Sequence, residues 1–126
     1  MLLDTNTLVW LNQGSDRLGK KALRDIEKAE SLLFSSISIL ELEIKRMQSH
    51  IKIKESFSSH LIDSGFIEIR FGSVHASEIQ RFSSLARHDP FDRALVATAS
   101  AEKINFMTSD SKLLALGFDF IIDAQI

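Results

Sequence analysis

The 126-residue chain contains no cysteine. A disulfide framework, an iron–sulfur cluster and a thiolate zinc site are therefore excluded, and a reducing compartment fits. No apolar run reaches the roughly 18 residues that a membrane span needs. The amino end lacks a basic region followed by a long apolar core, so no signal peptide is expected. These absences point to a cytoplasmic protein with no membrane partner. Basic charge is not in surplus either: 15 Lys and Arg against 17 Asp and Glu leave a net charge of −2. A generally basic nucleic-acid-binding surface is not indicated, although a total conceals local patches. No repeat, low-complexity tract or linker-like segment divides the chain. With 44% hydrophobic and 25% charged residues, ordinary globular values, residues 1–126 are expected to form one domain.

What is present has a clear periodicity. "MLLDTN" reads as a strand running into the short helix "TLVWLNQG", which stops near Gly14. "GKKALRDIEKAE" has helical spacing, and "SLLFSS" is a short strand. "SISILELEIKRMQ" carries Ile37, Leu40, Ile44 and Met47 at helical spacing, with Ser38 as a candidate N-cap. "KESFSSHLIDSG" predicts a helix closing at Gly65. "FIEIRF" alternates as a half-exposed strand does. "SVHASEIQRFSSLA" and "DPFDRALVATASAE" predict two more helices, the second with a small apolar face. "INFMTSD" is a strand, "SKLLALG" a short helix and "FDFII" a last strand. The order β-α-α-β-α-α-β-α-α-β-α-β is that of an α/β fold. It implies a parallel five-stranded sheet between two helical layers.

Four carboxylates fall at telling places. Asp4 and Asp110 each follow a strand, and ligand sites in open α/β sheets form outside the carboxyl ends of strands. Asp92 lies in the first turn of the helix starting at Pro90, the only proline. Glu41 lies one turn into the helix after "SLLFSS". All four can meet at one rim. Their mutual repulsion favours a divalent cation, and an all-oxygen donor set favours Mg²⁺ or Mn²⁺ over Zn²⁺. Each residue also has a plainer reading. Asp110 with Ser111 can cap a helix, Asp4 can start a turn, and Glu41 can be a solvated helix residue like its neighbour Glu43. Asp89 as N-cap, Pro90 at N1 and Asp92 at N3 make a good helix start.

The blocks "LLDTNTLVWL", "SSISILELEI", "HDPFDRALVATA" and "FMTSDSKLLALG" together resemble the PIN-domain ribonuclease family. Within it the chain is most similar to the single-domain VapC toxins of bacterial type II toxin–antitoxin modules. The resemblance covers nearly the whole chain, and it implies a PIN-like three-layer α/β/α fold. It further implies that Asp4, Glu41, Asp92 and Asp110 form a site for one or two Mg²⁺ or Mn²⁺ ions that hydrolyses RNA. Asp4 and Asp92 are expected as direct ligands. Glu41 is a ligand or orients water, and Asp110 acts directly or through water. Asn6 and Thr108 match positions that help orient such a site. The implied partners are an RNA substrate, a cognate antitoxin that inhibits the toxin, and a second copy in a homodimer. Arg93, Lys45, Arg46, Lys52, Lys54 and Lys112 are candidates for RNA backbone contacts, each with solvated surface charge as the alternative. His88 is read as a capping or packing residue, and Trp10 and the nine Phe as core.

Other Mg²⁺-binding α/β domains fit less well. A receiver domain needs a phosphoacceptor Asp ending its middle strand, which "SLLFSS" and "FIEIRF" lack. A haloacid-dehalogenase-type phosphatase needs a second aspartate where this chain has "DTN". A non-catalytic interaction module is the remaining alternative.

Overall fold

The computed structural model of the protein describes residues 1–48, 53 and 55–126. Two of the sequence candidates, Lys52 and Lys54, lie outside them. Among the described residues there are five strands: β1 (Leu2–Leu3), β2 (Leu33–Ser35), β3 (Ile67–Ile69), β4 (Phe106–Thr108) and β5 (Ile121–Asp123). They form one parallel sheet in the order β3-β2-β1-β4-β5. Between them run α1 (Thr5–Gln13), α2 (Lys20–Lys28), α3 (Ser36–Met47), α4 (Phe57–Asp63), α5 (Ser73–Glu78), α6 (Pro90–Glu102) and α7 (Ser111–Leu114).

Alternation along the strands divides the core in two. Leu3, Phe34 and Met107 face one side and pack with Leu8 of α1, Ala22 and Ile26 of α2, and Phe57 and Leu61 of α4. Leu2, Phe106 and Ile69 face the other and pack with Leu95, Val96 and Ala99 of α6 and Leu113 of α7. This is the three-layer arrangement that the element order predicts. The small face of α6, where Val96, Ala97 and Ala99 have no exposed surface, lets the backbones of α5 and α6 approach closely. Burying Val96 alone is worth about 2 kcal/mol.

Four local expectations change. The N-cap of α3 is Ser35, whose hydroxyl accepts from Ile37 N at 3.0 Å, whereas Ser38 lies buried inside the helix. The helix expected over "SVHASEIQRFSSLA" ends at Glu78 and continues as two 3₁₀ turns, Ile79–Arg81 and Ser83–Leu85. Phe82 breaks it with φ −122° and ψ 64° and turns its ring onto Phe118 and Phe120. The last strand is Ile121–Asp123 rather than "FDFII", because Ile121 N donates to Phe118 O at 3.1 Å and folds the preceding residues into a turn. The strand in "INFMTSD" is confined to Phe106–Thr108. At Gly14 the expected stop holds: it caps α1 in the left-handed conformation at φ 62°, where glycine carries no Cβ penalty.

The strand order places the site. From central β1 the chain builds outward to β2 and β3, then crosses back to add β4 and β5 on the other side of β1. The crossing leaves a crevice between the carboxyl ends of β1 and β4, where an open parallel sheet binds its ligands. Asp4 follows β1 directly, and Asp110 follows β4 two residues on.

Candidate functional site

Asp4 is the most tightly held of the four acids. It is the N-cap of α1, and its Oδ1 accepts from Thr7 N at 2.7 Å. Its Oδ2 accepts from the Thr108 hydroxyl at 2.6 Å and from Ser109 N at 3.3 Å. Burial pushes the Asp4 carboxyl above its ordinary range, and the bonds from Thr108, Thr7 and Ser109 pull it back. The Thr7 hydroxyl leans on the same carboxylate; it is buried and, among the described residues, lacks a partner of good hydrogen-bond geometry.

Thr108 joins two of the acids through one oxygen. While donating to Asp4 it accepts from Asp110 N at 3.0 Å. Asp110 in turn caps α7, its Oδ1 accepting from Lys112 N at 2.8 Å and Leu113 N at 3.0 Å. The capping reading of Asp110 is therefore correct, Asp4 caps a helix in place of the expected turn, and both caps fix where the carboxylates sit. Asp89 caps α6, its Oδ1 accepting from Phe91 N at 2.8 Å and Asp92 N at 3.3 Å.

Asp92 differs from these three. Its carboxylate accepts no hydrogen bond among the described residues. Partial burial and the charges of Asp110, Asp89, Glu41 and Asp4 push it up from 3.8 to about 7. Four acids from four parts of the sequence thus act on one carboxyl group. Glu41 projects from α3, mostly buried, with its Oε2 3.2 Å from Lys45 Nζ. Even so, among the described residues no three Asp, Glu or His side chains close to metal-holding distance. Like charges keep apart until a counter-charge draws them in. The oxygens that accept nothing among the described residues are both of Asp92, Oδ2 of Asp110 and Oε1 of Glu41. An all-oxygen set of this kind suits a hard divalent cation.

A cleft of about 310 Å³ opens onto Asp92 and Asp110, lined also by Arg87, His88, Asp89, Ser111 and Lys112. A larger cleft of about 590 Å³ lies at the opposite end of the strands, beside Met1, Lys28, Lys103 and Asn105, and carries none of the four acids. The remaining candidates scatter. Asn6 is exposed, and its side chain bonds to none of the four acids. Arg46 pairs with Glu43 at 3.1 Å. Arg93 donates to Ala86 O at 3.3 Å and lines an apolar groove beyond Pro90.

Sequence reasoning missed Thr5, Thr7 and Ser38. Thr5 and Ser38 are both buried, and the Thr5 hydroxyl donates to Ser38 Oγ at 3.0 Å. This bond ties the start of α1, beside Asp4, to the turn of α3 that precedes Glu41. The one available signal was polar residues inside otherwise apolar helix starts.

A family model described as PIN domain matches residues 1–119. Two solved structures share the fold. A toxin–antitoxin complex from Klebsiella pneumoniae is 19% identical, with a TM-score of 0.66 over 96% of this chain and 94% of that one. VapBC2 from Rickettsia felis, bound to a promoter DNA fragment, is 22% identical, with a TM-score of 0.67 over 97% and 95%. Comparison with curated proteins finds no match.

Proposed function

The chain belongs to the PIN domain family, whose members are generally nucleases, and on that premise we propose that it is a divalent-metal-dependent endoribonuclease. In this reading it is the cytoplasmic toxin of a type II toxin–antitoxin pair. Its partners are RNA, a cognate antitoxin and a second copy of itself. The observation that carries the reading is Asp92, a carboxyl group without hydrogen-bond partners among the described residues that burial and then four neighbouring acids raise to about 7. A purely structural acid would have relieved that strain with a cation or a donor. The two toxin–antitoxin structures of the same fold support the assignment to a toxin.

Asp4, Glu41, Asp92 and Asp110 are the residues that would hold Mg²⁺ or Mn²⁺. Bound there, the cation supplies a Lewis acid that activates water and offsets charge gathering on the phosphoryl oxygens. Asp4 contributes a carboxylate whose orientation is set before any ligand arrives, since Thr7, Thr108 and Ser109 already hold it. Thr108 transmits that orientation to Asp110. Glu41 and Asp92 bring the oxygens with most freedom to adjust to the ion or to a proton of the attacking water. An acidic cleft also suits an inhibitor that inserts a basic side chain.

Expression of wild type and Asp4→Asn in a bacterial host, with sequencing of RNA ends, tests the reading. Growth arrest and new RNA ends with wild type alone are expected. Equal toxicity of both proteins would refute it in favour of a non-catalytic interaction module.

A further inference from the structure

RNA is a polyanion, so a cleft walled by aspartates repels the substrate proposed for it. The compensating charge must come from cations placed to hold phosphates while leaving the acids open. Most basic residues near the site already have partners. Lys45 is held by Glu41 and Arg46 by Glu43, and Arg93 reaches back to Ala86 O. Arg87 and Lys112 differ. Both are exposed and both line the acidic cleft. Neither side chain forms an ion pair or hydrogen bond among the described residues.

Two segments line the cleft, Arg87–Asp89 with Asp92, and Asp110–Lys112. Arg87 belongs to one and Lys112 to the other, and Asp92 and Asp110 belong to the same lining. Each cation hangs from a fixed piece of backbone. Lys112 N donates to Asp110 Oδ1 at 2.8 Å. The turn carrying Arg87 is closed on both sides, by His88 N donating to Leu85 O at 3.0 Å and by Arg93 donating to Ala86 O. The lining contains no Phe or Trp on which a base could stack.

We propose that Arg87 and Lys112 form a two-point phosphate clamp that lays single-stranded RNA across this cleft. The strand enters over one cation and leaves over the other, with the bond to be cut above Asp92 and Asp110. The grip is on the backbone and carries no base preference of its own. Arg87 can hold two phosphoryl oxygens in a fork, whereas Lys112 acts as a point charge. This clamp rests on the ribonuclease reading for its purpose, but RNA binding can be measured without cleavage.

The test uses fluorescence anisotropy of the full protein with a labelled single-stranded RNA oligonucleotide, in Ca²⁺ to limit turnover, over a salt series. Arg87→Gln and Lys112→Gln are expected each to raise Kd about fivefold and to flatten the slope of log K against log salt by about 0.7. Arg87→Lys should keep most of the slope. Lys28→Gln, at the far cleft, should change neither quantity. In cleavage assays with Mg²⁺ the two clamp variants should raise KM and leave kcat nearly unchanged. Unchanged Kd and slope in both variants, an equal change in Lys28→Gln, or no RNA binding by wild type would overturn the clamp. RNA binding that depends on both cations, without cleavage in Mg²⁺ or Mn²⁺, would keep the clamp and remove the nuclease reading.

Discussion

Replacing Asp92 with asparagine should stabilise the metal-free protein, and the gain should depend on pH. Desolvation and then the neighbouring charges of Asp110, Asp89, Glu41 and Asp4 raise this carboxyl from 3.8 to about 7. Because the folded-state pKa is raised, the folded protein keeps a proton that the unfolded chain releases. The associated stability is fully present below about pH 4 and is lost as pH rises through about 7. A shift of about 3 units corresponds to a ceiling of about 4 kcal/mol. Asp92 is only partly buried, so solvent screening reduces this to on the order of 1–2 kcal/mol. Asparagine has nearly the same shape and no charge to penalise. Thermal unfolding followed by circular dichroism in EDTA, from pH 4.5 to 8, compares the two proteins directly. Other titrating groups largely cancel in the difference. The variant should match wild type at the acid end and melt about 3–8 °C higher at pH 8. Saturating Mg²⁺ should then raise wild type more than the variant, since only the ion-binding form gains by mass action. A difference in Tm that does not change with pH, or a variant less stable at pH 8, would refute the charge-repulsion argument.

Thr108→Val removes the donor to Asp4 and the acceptor for Asp110 N. Urea denaturation should show a loss of about 2–4 kcal/mol, with Thr108→Ser recovering most of it. Thr5→Val and Ser38→Ala should each destabilise the protein. Their double-mutant cycle should give a coupling of about 0.5–1.5 kcal/mol; a coupling of zero would mean that the 3.0 Å bond does not tie α1 to α3. Gly19→Ala places a Cβ 2.0 Å from the backbone oxygen of Ile126. The terminal segment must then release its bonds to Gly19 N and Ala22 N, and the variant should lose about 2 kcal/mol or more in thermal or urea melts.

Much of the fold is legible along the chain because its signals are local. Apolar residues two apart mark strands, and residues three and four apart mark helices. Asp89-Pro90 starts a helix by side-chain capping and a preset φ, and Gly14 ends one by accepting a left-handed backbone. Two of the exceptions involve contacts with residues far along the chain. Ser38 reads as a cap by local chemistry, but Thr5, 33 residues away, takes its hydroxyl. The helix around Ile79 fails because the Phe82 ring finds Phe118 and Phe120, which lie far along the chain.

By itself the sequence determined the alternation of strands and helices, the caps at Gly14 and Asp89, and the placing of Asp4, Asp92 and Asp110 at element ends with Glu41 inside α3. Those depend on propensities and hydrogen bonds within a few residues. Only the tertiary structure decided that β1 lies between β2 and β4. That order brings Thr108 within 2.6 Å of Asp4 across 104 residues, and it lets distant acids act on Asp92. It also decided that Arg87 lines the cleft beside Asp92 and Asp110. Charge on a side chain is written in the sequence, but the field acting on that charge depends on distance and burial, which exist only once the sheet has formed.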